Sequence, residues 1–188
     1  MKERLVRFWK FLHTDSWQSW LVSCILIIIS IKFILFPVLA FVTGTSLPLV
    51  VVESCSMYHA GTFEDWWQAN NAWYENRNIY EKQFNEYPFK NGLAKGDIIL
   101  VTGAQHAKKG DVIIFSAPTK YPVIHRLISQ EPAQTKGDHN PDQLPFEHDI
   151  ASTQVIGKAT LRIPLLGWVK LIFFEPLKPA DQRGFCKP

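Results

Sequence analysis

The chain is poor in cysteine, has no sustained excess of charge and carries only one long apolar run. Its three cysteines, Cys24, Cys55 and Cys186, are too few and too scattered for a disulfide framework or a CxxC metal site. The formal charge of +3 sits entirely in the first ten residues, where Lys2, Arg4, Arg7 and Lys10 face a single acid, Glu3. The rest of the chain is balanced, so no surplus of Lys and Arg exists to neutralise phosphates, and a basic nucleic-acid groove is not expected. Asp138, His139, Asp142, His148 and Asp149 are of metal-ligating type but lack a compact spacing such as HExxH, so no metal or other cofactor is expected.

What the chain does have begins with residues 21–42, LVSCILIIISIKFILFPVLAFV, which carry one charge, Lys32. About 20 apolar residues cross the hydrocarbon core of a bilayer. The basic flank on the N-terminal side places residues 1–20 in the cytoplasm and 43–188 on the outer or lumenal face. A cleavable signal peptide is the competing reading, with VLA at 38–40 as its cleavage site. Signal cores run about 7–15 residues, and this run is longer, so a retained single-pass anchor is expected. Pro37 is expected to kink it.

Residues 43–48 read as a short linker and 49–53 as a strand. Ser56 follows Thr43 by so few residues that it lies at most roughly 45 Å of extended chain from the anchor's end. If the extension continues, Ser54 and Ser56 share one face and Cys55 points to the other. Residues 62–86 space Phe63, Trp66, Trp67, Trp73, Tyr74, Tyr80 and Phe84 at helical intervals, predicting one or two amphipathic helices with an aromatic face. That face either packs on the domain or serves as a lid or membrane contact. KGDIILV at 95–101 and KGDVIIF at 109–115 are each a turn tripeptide followed by an apolar strand, with Asp97 and Asp111 as turn residues. KGDHNPD at 136–142 repeats the tripeptide, but a polar, proline-bearing stretch follows. Further strands are predicted at 121–129 and 154–163. The expected fold is mainly β, a barrel-like or open antiparallel domain over 43–188 with a helical aromatic insertion at 58–94, behind one transmembrane helix.

A serine becomes a nucleophile when a base takes its proton, and the base works best when a third group fixes its tautomer. Ser54 and Ser56 are candidates for the first part, with Cys55 as a thiol alternative. Of the histidines beyond the anchor, His106 and His148 lie in polar connections and His59 close behind the serines. His125 interrupts the apolar strand PVIHRLI, sharing the face of Val123 and Leu127 with Arg126 opposite.

The order of these pieces, an anchor, then SCSM, KGDIILV, KKGDVIIF, VIHRLI and KGDHN, resembles type I signal peptidases over roughly residues 20–170. The resemblance implies that Ser56, before Met57, is the nucleophile. It sets His125 where bacterial members carry a lysine, which resembles the archaeal and endoplasmic-reticulum members. It aligns Asp138 with the aspartate of the family's GD segment, here Gly137, Asp138, His139, Asn140. The backbone N–H of Ser56 and the hydroxyl of Ser54 would form the oxyanion hole. Two departures stand out: Cys55 replaces the usual glycine between the serines, and Leu144 stands where an aspartate often follows. Asp138 is therefore the first choice to orient His125, with Asp142 second. The implied function is a membrane serine endopeptidase removing signal peptides from translocated preproteins, with the bilayer and the export machinery as further partners. Three alternatives remain: a self-cleaving repressor-type protease, an inactive homologue presenting signal peptides, and an anchored binding module using the aromatic face of 62–86.

Overall fold

The computed structural model describes residues 2–187, and the chain divides into two compact units, Met1–Val42 and Thr43–Pro188. In the first, helix α1 (Lys2–Leu12) carries the basic residues. Helix α2 (Trp17–Ser30) starts at Ser16, whose hydroxyl oxygen accepts from the Ser19 N–H. It runs through a π-helical turn, Ile31–Leu35, into α3 (Phe36–Thr43). The whole stretch Trp17–Thr43 is 27 residues, long and apolar enough to cross a membrane. Pro37 has no N–H to give the carbonyl four residues earlier, and the preceding turn is widened: the Phe36 N–H reaches back five residues to Ile31.

The second unit is built on six antiparallel strands: β1 (Leu49–Val51), β2 (Ile98–Thr102), β3 (Val112–Phe115), β4 (Val123–Gln130), β5 (Ala133–Lys136) and β6 (Val155–Ile163). Their spatial order is β1-β2-β6-β3-β4-β5, leaving β1 and β5 as edges. The sheet is open rather than a barrel. About 39% of the chain is helical, so the fold is mixed α and β rather than mainly β. Each KGD turn delivers its strand as expected. Asp97 Oδ2 accepts from the Ala94 N–H at 2.8 Å and Asp111 Oδ2 from the Lys108 N–H at 3.0 Å, closing the turns that start β2 and β3. Sequence reading missed β5, whose residues AQTK carry no apolar alternation; its pairing with β4 makes it a strand.

One face of the sheet gathers Ile99, Val101, Val112 and Ile114 with Val52 and Met57. The other carries Ile113, Phe115 and Leu127 against Ile150. Between β1 and β2 come helices α4 (Phe63–Glu75) and α5 (Glu81–Phe84), the first begun by a reciprocal cap between Thr62 and Asp65. Their aromatic face turns inward: Phe63, Trp66, Trp67, Tyr74 and Phe84 are buried together with Ile79 and Ile128. After β6, the short helix α6 (Trp168–Phe174) leads to a tail that returns to the front of the domain. There Cys186 forms a disulfide with Cys55. The cysteine count argues against a disulfide framework, and a single bond is what forms, between residues remote in sequence whose Cα atoms are 5.5 Å apart.

Candidate active site

The strand that leads to the serines is shorter than expected. Extension ends at Val51, and residues 54–57 form a turn closed by the Tyr58 N–H donating to the Cys55 carbonyl at 3.0 Å. The turn still sets the two serines side by side, their hydroxyl oxygens 3.1 Å apart. Cys55 turns to Cys186, so its sulfur is not available as a nucleophile. Met57 is buried in the core and pins the far end of the turn.

Strand β4 places His125. In the β3–β4 pairing His125 stands opposite Ile113 and Arg126 opposite Val112, so the two side chains leave the sheet on opposite faces. His125 is 3% exposed, and its Nδ1 lies 2.6 Å from Oε1 of Glu147, which is fully buried. The same oxygen accepts from the Thr135 hydroxyl at 2.8 Å, and Oε2 accepts from the Leu144 N–H at 2.7 Å. An ionised carboxylate only accepts hydrogen bonds. A carboxylate at Oε1 selects the neutral tautomer with the proton on Nδ1, which presents the lone pair of Nε2.

Gly137 lies against both His125 and the Ser56 backbone. A Cβ on this residue would lie 2.7 Å from His125 Nε2 and 2.8 Å from the Ser56 carbonyl oxygen. Asn140 Nδ2 would be equally close at 2.7 Å, so His125, Asn140 and the Ser56 backbone all pack against this α-carbon and leave no room for a side chain. The His139 N–H donates to the same Ser56 carbonyl at 2.8 Å, tying the 136–142 loop to the serine turn.

Asp138 does not meet His125. It follows Gly137 onto the face of Arg126, where it accepts from Arg126 Nη2 at 2.6 Å and Nε at 2.9 Å. It also contacts His59 Nε2 at 3.0 Å and accepts from the Tyr74 hydroxyl at 3.3 Å. Burial alone would raise its carboxyl; the Arg126 charge and the bonds from His59 and Arg126 outweigh that and hold it well below the usual carboxylate range. Arg126 also donates to the carbonyls of Pro88, Phe89 and Gly110, fastening the insertion to the sheet. His59 stacks on Trp66 at 3.7 Å, and burial lowers its pKa against the pull of Asp138. The expectation that Asp138 orients His125 is corrected by these contacts: strand alternation sends it to the opposite face. Asp142, the second choice, accepts from the Trp73 indole N–H at 2.8 Å and from the Gln143 N–H.

The other expected candidates disperse. His106, His139, His148 and Asp149 are exposed, and among the described residues no three His, Cys, Asp or Glu side chains gather as metal ligands would. Lys136 is buried, its ammonium donating to the Gly137 carbonyl at 3.1 Å and lying 4.9 Å from the centre of the Trp73 ring. Burial pushes it down to about 8 against the pull of Asp138, Glu147 and Asp142. Sequence reasoning missed Glu147. Its only signal is an acid between an apolar Phe146 and the exposed His148, in a 3₁₀ turn opened by Pro145. Beside Ile113 and Leu127, on the His125 face of the sheet, lies a cleft of about 620 Å³. Ala133, Ile150 and Val155 also line it. Comparison of the chain with protein-family models and with curated proteins finds no match.

Proposed function

We propose that the chain is a membrane-anchored serine endopeptidase, similar to histidine-type signal peptidase I, which removes signal peptides from translocated preproteins. The observation that carries this reading is the buried His125–Glu147 pair, with His125 Nε2 and the Ser56 carbonyl both packed against Gly137. The reaction begins when the Ser56 hydroxyl turns from Ser54 towards Nε2 and attacks the scissile carbonyl. His125 takes the proton, Glu147 stabilises the imidazolium, and His125 then protonates the leaving amine. Water attacks the acyl-enzyme with the same imidazole as base. The Ser56 N–H and the Ser54 hydroxyl receive the oxyanion; a donor in such a place is worth a factor of roughly 10²–10³ in rate.

The arrangement suits an extended, largely apolar substrate. The edges β1 and β5 can add a strand, and the cleft beside Ile113 and Leu127 offers an apolar wall. An N-terminus in the cytoplasm and a catalytic unit on the outer or lumenal face put enzyme and preprotein in one membrane. That raises their effective concentration and lets modest affinity suffice. The test is cleavage of a model preprotein in detergent by the full chain, Ser56→Ala, His125→Ala and Glu147→Gln, with a zinc chelator as control. All three substitutions are expected to abolish or sharply reduce cleavage, with the chelator without effect. Cleavage by Ser56→Ala at the wild-type rate would remove the proposal.

A further inference from the structure

The aromatic insertion meets the loop after β5 through two neighbouring residues of α4. Tyr74 is fully buried in the aromatic cluster and donates its hydroxyl to Asp138 Oδ1 at 3.3 Å. Trp73 is partly buried and turns its indole N–H to Asp142 Oδ1 at 2.8 Å. The helix therefore grips both ends of the segment 138–142, which carries the His139 N–H that donates to the Ser56 carbonyl at 2.8 Å. The Trp73 ring is itself held by two cations: the Arg77 guanidinium lies 3.7 Å from its centre and the Lys136 ammonium 4.9 Å.

From Asp142 the bonds continue to His125. Asp142 Oδ1 also accepts from the Gln143 N–H at 2.8 Å. These two bonds, from Trp73 and then from Gln143, keep its carboxyl below the ordinary range, so it is an ionised acceptor at neutral pH. The Gln143 amide donates to the Thr135 carbonyl at 3.0 Å, and the Leu144 N–H donates to Glu147 Oε2 at 2.7 Å. Glu147 Oε1 then lies 2.6 Å from His125 Nδ1. Asp142, Leu144 and Pro145 are exposed, so hydrogen bonds rather than apolar burial place this part of the chain. We propose that Trp73 and Asp142 are positioning residues: the indole–carboxylate bond fixes the start of the 142–147 segment and thereby sets Glu147 against His125. Neither residue touches Ser56 or His125; each acts through the segment. The kinetic consequence rests on the peptidase reading, whereas the effect on the His125–Glu147 contact does not.

The test uses the full chain in detergent with isotopically labelled histidine. Trp73→Phe keeps an aromatic ring beside Arg77 and Lys136 and removes the N–H; Asp142→Ala removes the acceptor; Asp142→Asn keeps an amide oxygen that still accepts. The wild type is expected to show a His125 Nδ1–H resonance protected from exchange with water, assigned by its loss in His125→Ala. Trp73→Phe and Asp142→Ala are each expected to broaden that resonance and to lower kcat for preprotein cleavage about tenfold, with KM within about twofold of wild type. The double variant is expected to lose no more than the more impaired single one, because both changes remove the same bond. Asp142→Asn is expected to keep both the resonance and the rate. A resonance unchanged in both single variants, or losses that multiply in the double, would overturn the proposal. The resonance decides this whether or not the wild type cleaves, and a wild type inert towards preproteins removes the peptidase reading instead.

Discussion

Replacing Asp138 by Asn separates a structural carboxylate from a catalytic one. The carboxylate is fully buried and neutralises Arg126, which is itself fully buried and whose other hydrogen bonds, among the described residues, go to backbone carbonyls. Asparagine keeps the shape, removes the charge and turns an N–H₂ group on neighbours that are themselves donors. Breaking a buried pair by removing one partner costs about 3–5 kcal/mol, because the other ion is left uncompensated. In a chain of this size each kcal/mol moves the melting temperature by about 2–4 °C, so the expected fall is roughly 6–20 °C. The carboxyl's folded-state pKa lies below its unfolded value. Its contribution is therefore complete above the unfolded value and fades as pH drops through the folded one. Glu147→Gln is the counterpart. It leaves a histidine that can stay neutral, so destabilisation is expected to be about 1–2 kcal/mol and the rate loss about 10³–10⁴. Thermal unfolding of the full chain in detergent, followed by near-UV circular dichroism of the Trp66–Trp67 cluster, is measured beside preprotein cleavage. An Asp138→Asn variant that melts within about 2 °C of wild type but cannot cleave would refute this division of roles.

Lys136→Met is expected to stabilise the protein at neutral pH by up to about 3 kcal/mol, since the folded state holds this ammonium at about 8 against an ordinary 10.5. The unfolded chain keeps the proton between those values, so wild-type stability rises from pH 8 to 10.5 and the variant loses that slope; denaturant midpoints at pH 7 and 10 check both signs. Gly137→Ala is expected to reduce cleavage by at least about tenfold, because its methyl group enters the space between His125 Nε2 and the Ser56 carbonyl. A wild-type rate in Gly137→Ala would mean that the two groups do not work together there. Cys186→Ser is expected to cost about 3–5 kcal/mol, as the disulfide closes a separation of 131 residues. Dithiothreitol should lower the wild-type melting temperature towards that of the variant; a melting temperature indifferent to reductant would show that the bond contributes nothing.

Strands β2, β3, β4 and β6 were legible because each has an apolar run and two have a turn tripeptide before it. The helices α4 and α5 were legible because aromatic spacing follows the helical period. β5 was not, since AQTK becomes a strand only by pairing with β4. The same limit applies to the site. Alternation along β4 correctly separates His125 from Arg126, but it says nothing about which later acid arrives on which face. Asp138 lies one residue after Gly137 and Glu147 ten, and chain order favours the nearer. Only the path of the 136–147 loop, which carries Asp138 to Arg126 and brings Glu147 back under His125, decides between them. Cys186 was illegible for the same reason: its partner is remote in sequence and adjacent in space.

These features make the serine turn a fixed point with one movable atom. Met57 is buried on one side, Cys55 is bonded to the tail on the other, and the Ser56 carbonyl is held by the His139 N–H. The tail that carries Cys186 is in turn locked by Lys95, whose buried ammonium bonds both the Glu175 carboxylate and the Gln182 carbonyl. What remains unfixed is the Ser56 hydroxyl, half-buried and, among the described residues, bonded to Ser54 alone. For the proposed endopeptidase this division is what catalysis by positioning requires, because backbone reorganisation is completed on folding and only a hydroxyl rotation is left. Cys55, between the two serines, spends its side chain on that covalent tie.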